Sequence, residues 1–286
     1  MKQKALDSLR LNHRKKNMVL SSVSGILTTE PGMIRHFAEH VPSCDIITTK
    51  SYQLKATSGH REPVICSPSE GTYGNFVGLR NPGLDAVLPD LKRIRAENPK
   101  FILNVSLAAN SIEDFIGAIE RVDGLADIVE LNFSCPHAGS GFGASIGMDS
   151  NIAGEYAKRI CESFKQRDFL IIPKLTPNAK DIAAVAKAVI AGGADGVALV
   201  NTMGPYEYND ASSGEAIFNR CEGGKGGMSG AQVKQTALSC IRKVRDAIGD
   251  EPIILGMGGV SSSLDTERML EAGADSIGLG SVLASV

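Results

Sequence analysis

Short apolar runs rich in β-branched residues recur along the chain, separated by longer stretches in which apolar positions return every three or four residues. The runs predict strands at 18–22, 45–49, 101–105, 127–132, 170–175, 196–200, 253–257 and 275–279. Some are apolar without interruption, as in Ile253-Ile254-Leu255, the pattern of a parallel strand covered on both faces. Between the runs, Ile182, Val185, Ala186, Val189 and Ile190 make one helical stripe, and Val233, Ala237, Ile241, Val244 and Ile248 make another. Alternation of strand and helix implies right-handed crossovers and a parallel sheet. Two joints repeat, Gly193-Ala194-Asp195 and Gly273-Ala274-Asp275, each a helix stop ahead of a strand. Eight strands favour closure into an α/β (β/α)8 barrel, the TIM barrel, over a doubly wound open sheet. No GxGxxG, Walker or GxSxG loop supports the open form.

Composition narrows this further. The 286 residues would fit two average domains, but no Pro- or Ser-rich linker divides them, so one domain over 1–286 is expected. Thirty Lys and Arg against 32 Asp and Glu leave a charge of -2, which excludes a general nucleic-acid reader, since that needs a basic face. The basic start lacks the apolar core of a secretory signal, and no long uncharged apolar stretch follows, so a cytoplasmic protein is expected. The cysteines at 44, 66, 135, 161, 221 and 240 form no CxxC pair, so neither a zinc ribbon nor a local iron–sulfur run is present and no metal site is expected.

In a barrel the chemistry belongs at the C-terminal strand ends, with phosphate often gripped after strands seven and eight. Those strands run into Gly256-Met257-Gly258-Gly259 and Gly278-Leu279-Gly280-Ser281. A third glycine-rich segment, 223–230, is expected to be a loop that opens the next helix. The fourth strand ends in Asn132-Phe133-Ser134-Cys135-Pro136-His137, where a thiol beside a flexible glycine-rich stretch could serve as acid or base. The other five cysteines read as structural. Lys50 and Lys174 also stand at strand ends, able to hold an anion or to pair with a carboxylate. Asn75, Asn104, Asn132 and Asn201 each offer a donor and an acceptor, which suits the alternating edge of a heterocycle.

Asn132-Phe133-Ser134-Cys135-Pro136 resembles the Asn-x-Ser-Cys-Pro loop of soluble dihydroorotate dehydrogenases and of the related dihydropyrimidine dehydrogenases. The resemblance extends from about residue 18 to residue 283. It includes Thr49-Lys50-Ser51, the segment 75–83, Lys174-Leu175-Thr176-Pro177-Asn178, Asn201-Thr202, Gly227-Met228-Ser229-Gly230 and Gly256-Met257-Gly258-Gly259. It implies an FMN-binding barrel that oxidises dihydroorotate to orotate in pyrimidine biosynthesis, with Cys135 as the base at C5. By the same resemblance Lys50, Asn75, Gly78, Leu79, Asn132, His137, Asn201 and Thr202 bind substrate. FMN falls to Ser21, Ser22, Lys50, Asn104, Asn132, Lys174, Gly230, Gly258, Gly259, Gly280 and Ser281.

The match is uneven. At His137 it is similar to the dihydropyrimidine dehydrogenases, whereas 75–83 is similar to the dihydroorotate group. The readings to be weighed are therefore a dihydroorotate dehydrogenase, a dihydropyrimidine dehydrogenase catalytic subunit, and a catalytically silent barrel binding a phosphorylated ligand. Relatives that use fumarate are homodimers, and NAD-linked ones pass electrons to a partner subunit carrying FAD and an iron–sulfur cluster; the resemblance leaves both open. The chain runs five residues past Ser281, short of the family's last helix, so the barrel is expected to lack that helix or to be cut before it.

Overall fold

A computed structural model describes residues 1–15, 18–133, 146–219 and 223–285. Eight parallel strands close into a barrel: β1 (Leu20–Ser22), β2 (Ile46–Thr48), β5 (Ile102–Leu107), β6 (Ile128–Asn132), β7 (Leu170–Lys174), β8 (Gly196–Leu199), β11 (Ile253–Met257) and β12 (Ser276–Leu279). The ring is completed by β1, which pairs with both β2 and β12. All eight lie where the apolar runs placed them. Among the described residues the crossovers are α2 (Pro31–His40), α3 (Leu84–Ala96), α4 (Ile112–Val122), α5 (Ser150–Ser163), α6 (Ile182–Ala191), α7 (Lys234–Ile248) and α8 (Ser263–Glu271). Four of these helices begin on a side chain that accepts a first-turn N–H: Ser111, Asp149, Asp181 and Ser262. Beyond β12, Ser281–Ser285 form a 3-10 turn. No helix among the described residues is long and apolar enough to cross a membrane.

The seemingly uniform apolar strands have two distinct faces. Leu103, Val129, Ile171, Val197 and Ile254 point outward to pack under the helices. Their alternates Ile46, Ile102, Ile128, Leu170, Ile172, Ala198, Ile253 and Leu255 fill the interior. Two residues further along each strand, that inward face turns polar on one side, at Thr48, Asn104, Glu130 and Lys174, all buried. The barrel is thus apolar at its base and polar toward its C-terminal end. The base is closed by α1 (Lys2–Lys15), an element the sequence pattern did not announce. Its Ala5 and Leu9 join the interior cluster, the amino terminus pairs with Asp168 at 2.8 Å, and Lys2 pairs with Asp195 at 2.7 Å.

A fourfold repeat ties the base together. An aspartate precedes every second barrel strand, and its Oδ2 accepts the N–H at the start of the strand before it. The pairs are Asp45 with Leu20 (3.0 Å), Asp127 with Leu103 (2.8 Å), Asp195 with Ile171 (2.9 Å) and Asp275 with Ile254 (2.7 Å). Three of these carboxylates also take an arginine, Arg95, Arg167 and Arg245, at 2.8, 2.8 and 2.7 Å. The repeated Gly-Ala-Asp joints belong to this device.

A second, antiparallel sheet stands over the mouth in the order β3 (Ile65–Ser69), β4 (Thr72–Asn75), β10 (Lys225–Gly230), β9 (Met203–Glu207). It corrects the expectation for 223–230. Instead of a loop opening a helix, Lys225–Gly230 is a strand paired on both sides, and α7 starts only after the 3-10 turn Ala231–Val233. Its glycines admit close neighbours: a Cβ on Gly226 would lie 2.5 Å from the Asn75 carbonyl oxygen. Phe76, Tyr208 and Phe218 pack together beside this sheet.

Candidate active site

Between the barrel mouth and the small sheet lies a cavity of about 420 Å³. Lys50, just past β2, and Lys174, the last residue of β7, both line it, as do Asn132 at the end of β6 and Asn201 beyond β8. The small sheet contributes Asn75, and the chain after it Gly78 and Leu79; Thr202 completes that side. Leu79 has φ 56, a left-handed conformation costly for a branched side chain and most often kept at functional sites.

The polar groups beneath the mouth form one connected network. Ser106 donates to Glu130 Oε1 at 2.9 Å and lies 2.9 Å from the Ser51 hydroxyl. Asn132 donates to Ser51 at 3.4 Å, and Asn201 donates to Asn132 Oδ1 at 3.3 Å. On the other arm, Lys174 stands 3.7 Å from Glu130 and donates to Ser24 at 3.4 Å. Glu130 is 1% exposed and Lys174 4%, so this ion pair is held almost wholly out of water. Such groups persist only when paired.

The opposite wall is backbone. Gly230, Gly258, Gly259, Gly280 and Ser281 all line the cavity. At Gly259, with φ 73, a Cβ would fall 2.8 Å from both the Gly230 oxygen and the Lys234 nitrogen, so no larger residue fits between these two turns. Close backbone turns after the seventh and eighth barrel strands are the usual phosphate grip of this architecture. Asn104 sits two residues deeper than Ser106 on β5, 1% exposed, donating to Thr48 Oγ1 at 3.1 Å, and its own Oδ1 has no hydrogen-bond partner among the described residues. An orphaned buried acceptor beside a ring of amides and a glycine cradle beyond it fit a flat, hydrogen-bonding ring that carries a phosphate.

The sequence-predicted residues are thus mostly brought together. Ser21, Ser22 and Asn104 are the exceptions. The two serines are buried in β1, where Ser22 Oγ accepts from Thr48 N at 2.8 Å and the cavity wall begins at Val23. Asn104 is buried in β5 without lining the cavity. Cys135 and His137 lie outside the described residues. Of the other described cysteines, Cys44, Cys161 and Cys240 are buried, and burial pushes the first two thiols up to about 12 and about 11 and raises the third, leaving them inert. Sequence reasoning missed Ser51, Ser106, Glu130 and Ser24. For Ser106 and Glu130 the signal was present, because each alternates with a predicted residue on its own strand, Asn104 on β5 and Asn132 on β6.

Fold and site together define a (β/α)8-barrel protein whose C-terminal mouth holds a cavity lined by lysines and amides on one side and glycine backbone on the other. The chain belongs to the dihydroorotate dehydrogenase family, whose model matches residues 16–285. It is 35% identical over 237 residues to the NAD(+)-type dihydroorotate dehydrogenase B catalytic subunit of Methanothermobacter thermautotrophicus, covering 83% of this chain and 74% of that relative. To the fumarate-type dihydroorotate dehydrogenase A of Lactobacillus helveticus it is 34% identical over 229 residues, covering 79% and 71%. The crystal structure of DHODH from Eimeria tenella in complex with ferulenol shares the fold, with a TM-score of 0.78 at 16% identity over 94% of this chain and 78% of that one.

Proposed function

We propose that the chain oxidises dihydroorotate to orotate with FMN bound in the barrel mouth. The observation that carries this is the convergence of Lys50, Lys174, Asn75, Asn132 and Asn201 on one cavity whose far wall is glycine backbone. Membership of the family supports it. The phosphate would rest on Gly230, Gly258, Gly259, Gly280 and Ser281, and the ring would lie against Lys50, Asn104, Asn132 and Lys174, near the Ser21-Ser22 backbone. FMN, when bound, supplies a two-electron sink for the hydride leaving C6.

The chain's own residues do the rest. Lys50 holds the substrate carboxylate, while Asn75, Asn132 and Asn201 meet the carbonyl and N–H edge of the pyrimidine. Gly78, Leu79 and Thr202 wall the ring, and His137 adds a hydrogen bond to it. Cys135, as thiolate, takes the C5 proton. Glu130 fixes Lys174 on one side and, through Ser106 and Ser51, Asn132 on the other. The substrate is thus held by groups that have little freedom left to lose.

Purified protein is expected to show a yellow flavin spectrum that dihydroorotate bleaches and dihydrouracil does not. Bleaching by dihydrouracil alone would instead make the chain a dihydropyrimidine dehydrogenase subunit. Cys135→Ala is expected to keep its flavin and to bleach roughly 100-fold more slowly, the scale of general acid–base catalysis. A variant bleaching at the normal rate removes Cys135 from the reaction. The relatives' names divide on the electron acceptor, NAD(+) for one and fumarate for the other. Purification as a homodimer would favour the second, and co-purification with a flavin and iron–sulfur subunit the first.

A further inference from the structure

Behind the glycine wall, out of reach of the cavity, Lys234 and Asp265 form an ion pair that the reaction itself does not use. Lys234 is the first residue of α7, 31 positions before Asp265, which lies in the first turn of α8. Three donors meet on one oxygen: Lys234 Nζ at 2.8 Å, Ser261 N at 3.0 Å and Ser261 Oγ at 3.0 Å all reach Asp265 Oδ2. The carboxylate is 3% exposed.

Both ends of this clamp lie directly behind cavity backbone. Ser261 continues the Gly258-Gly259-Val260 turn, and Lys234 follows Gly230 by four residues, with its backbone nitrogen in the space a Gly259 Cβ would need. A capping carboxylate that served only its own helix would bond within α8. This one also reaches α7, and so joins the two turns that line the far wall. We infer that Asp265 is a positioning residue for phosphate: it locks the Gly230 and Gly258-Gly259 turns at the spacing their N–H groups need, without touching the ligand. This rests on the function proposed above.

The inference makes the phosphate, not the ring, depend on Asp265. Full-length protein freed of flavin is titrated with FMN and with riboflavin, following flavin fluorescence. In Asp265→Asn, FMN affinity is expected to fall about tenfold, the worth of one charge-assisted contact, while riboflavin affinity holds within about twofold. Ser261→Ala, which removes a single donor and keeps the carboxylate, is expected to lower FMN affinity by a smaller factor and again to spare riboflavin. If Asp265→Asn folds too poorly to titrate, Ser261→Ala decides alone. Equal loss of both ligands, or no loss of FMN, overturns the inference and leaves the proposed function standing. A wild-type protein that takes neither flavin overturns both.

Discussion

Glu130 faces two directions at once. One oxygen accepts from Ser106 and lies 3.7 Å from Lys174, and the other has no hydrogen-bond partner among the described residues. Replacing it by Gln keeps the shape but leaves a buried ammonium, at 4% exposure, without its carboxylate. Losing one member of a buried pair costs about 3–5 kcal/mol, so denaturant unfolding of Glu130→Gln should show a loss of that order. An unchanged midpoint would mean that Lys174 finds its counter-charge elsewhere. At this scale the sequence was informative wherever strand alternation could be applied. Lys174 follows Leu170 and Ile172 on one face, and Asn132 follows Ile128 and Glu130. Ser24 and Ser51 stand outside any strand, and nothing in their spacing marks them as partners of Lys174 and Asn132.

Among elements, most barrel strands were legible because they are apolar runs buried on both faces, and the small sheet was not, because its strands are neither continuously apolar nor regularly alternating in sequence. The strand β3 reads Ile-Cys-Ser-Pro-Ser, and β10 reads Lys-Gly-Gly-Met-Ser-Gly. Backbone pairing forms them, and composition alone reads them as loop. The start of α8 carries its own prediction. Burial alone would push the Asp265 carboxyl up, but the bonds donated by Lys234 and Ser261 outweigh it and hold it at about 2, against an ordinary 3.8. A depressed carboxyl contributes stability that is fully present above its ordinary value and is lost as pH falls through its folded one. The stability gap between wild type and Asp265→Asn should therefore be constant near neutrality and close between about pH 4 and pH 2, measured by denaturant unfolding at stepped pH. A gap that persists at pH 2 would assign the effect to packing instead of charge.

The whole molecule separates its tasks along the barrel axis. The fourfold aspartate repeat and α1 hold the N-terminal end, and the cavity occupies the C-terminal end, with an apolar interior layer between them. Barrels of this kind place stability at the first end and chemistry at the second. Asp127 tests the division most cleanly. It is fully buried, it accepts the Leu103 N–H at 2.8 Å, and Arg95 closes on it at 2.8 Å. Asp127→Ala strands both partners at once, and is expected to cost about 3–5 kcal/mol of stability in denaturant unfolding. Because the site lies beyond the packed layer, FMN affinity of the folded variant should stay within about twofold of wild type, as sites without shared partners contribute independently. A variant that lost flavin affinity in step with stability would show that the base of the barrel sets the geometry of its mouth, and the two ends would then have to be treated as one cooperative unit.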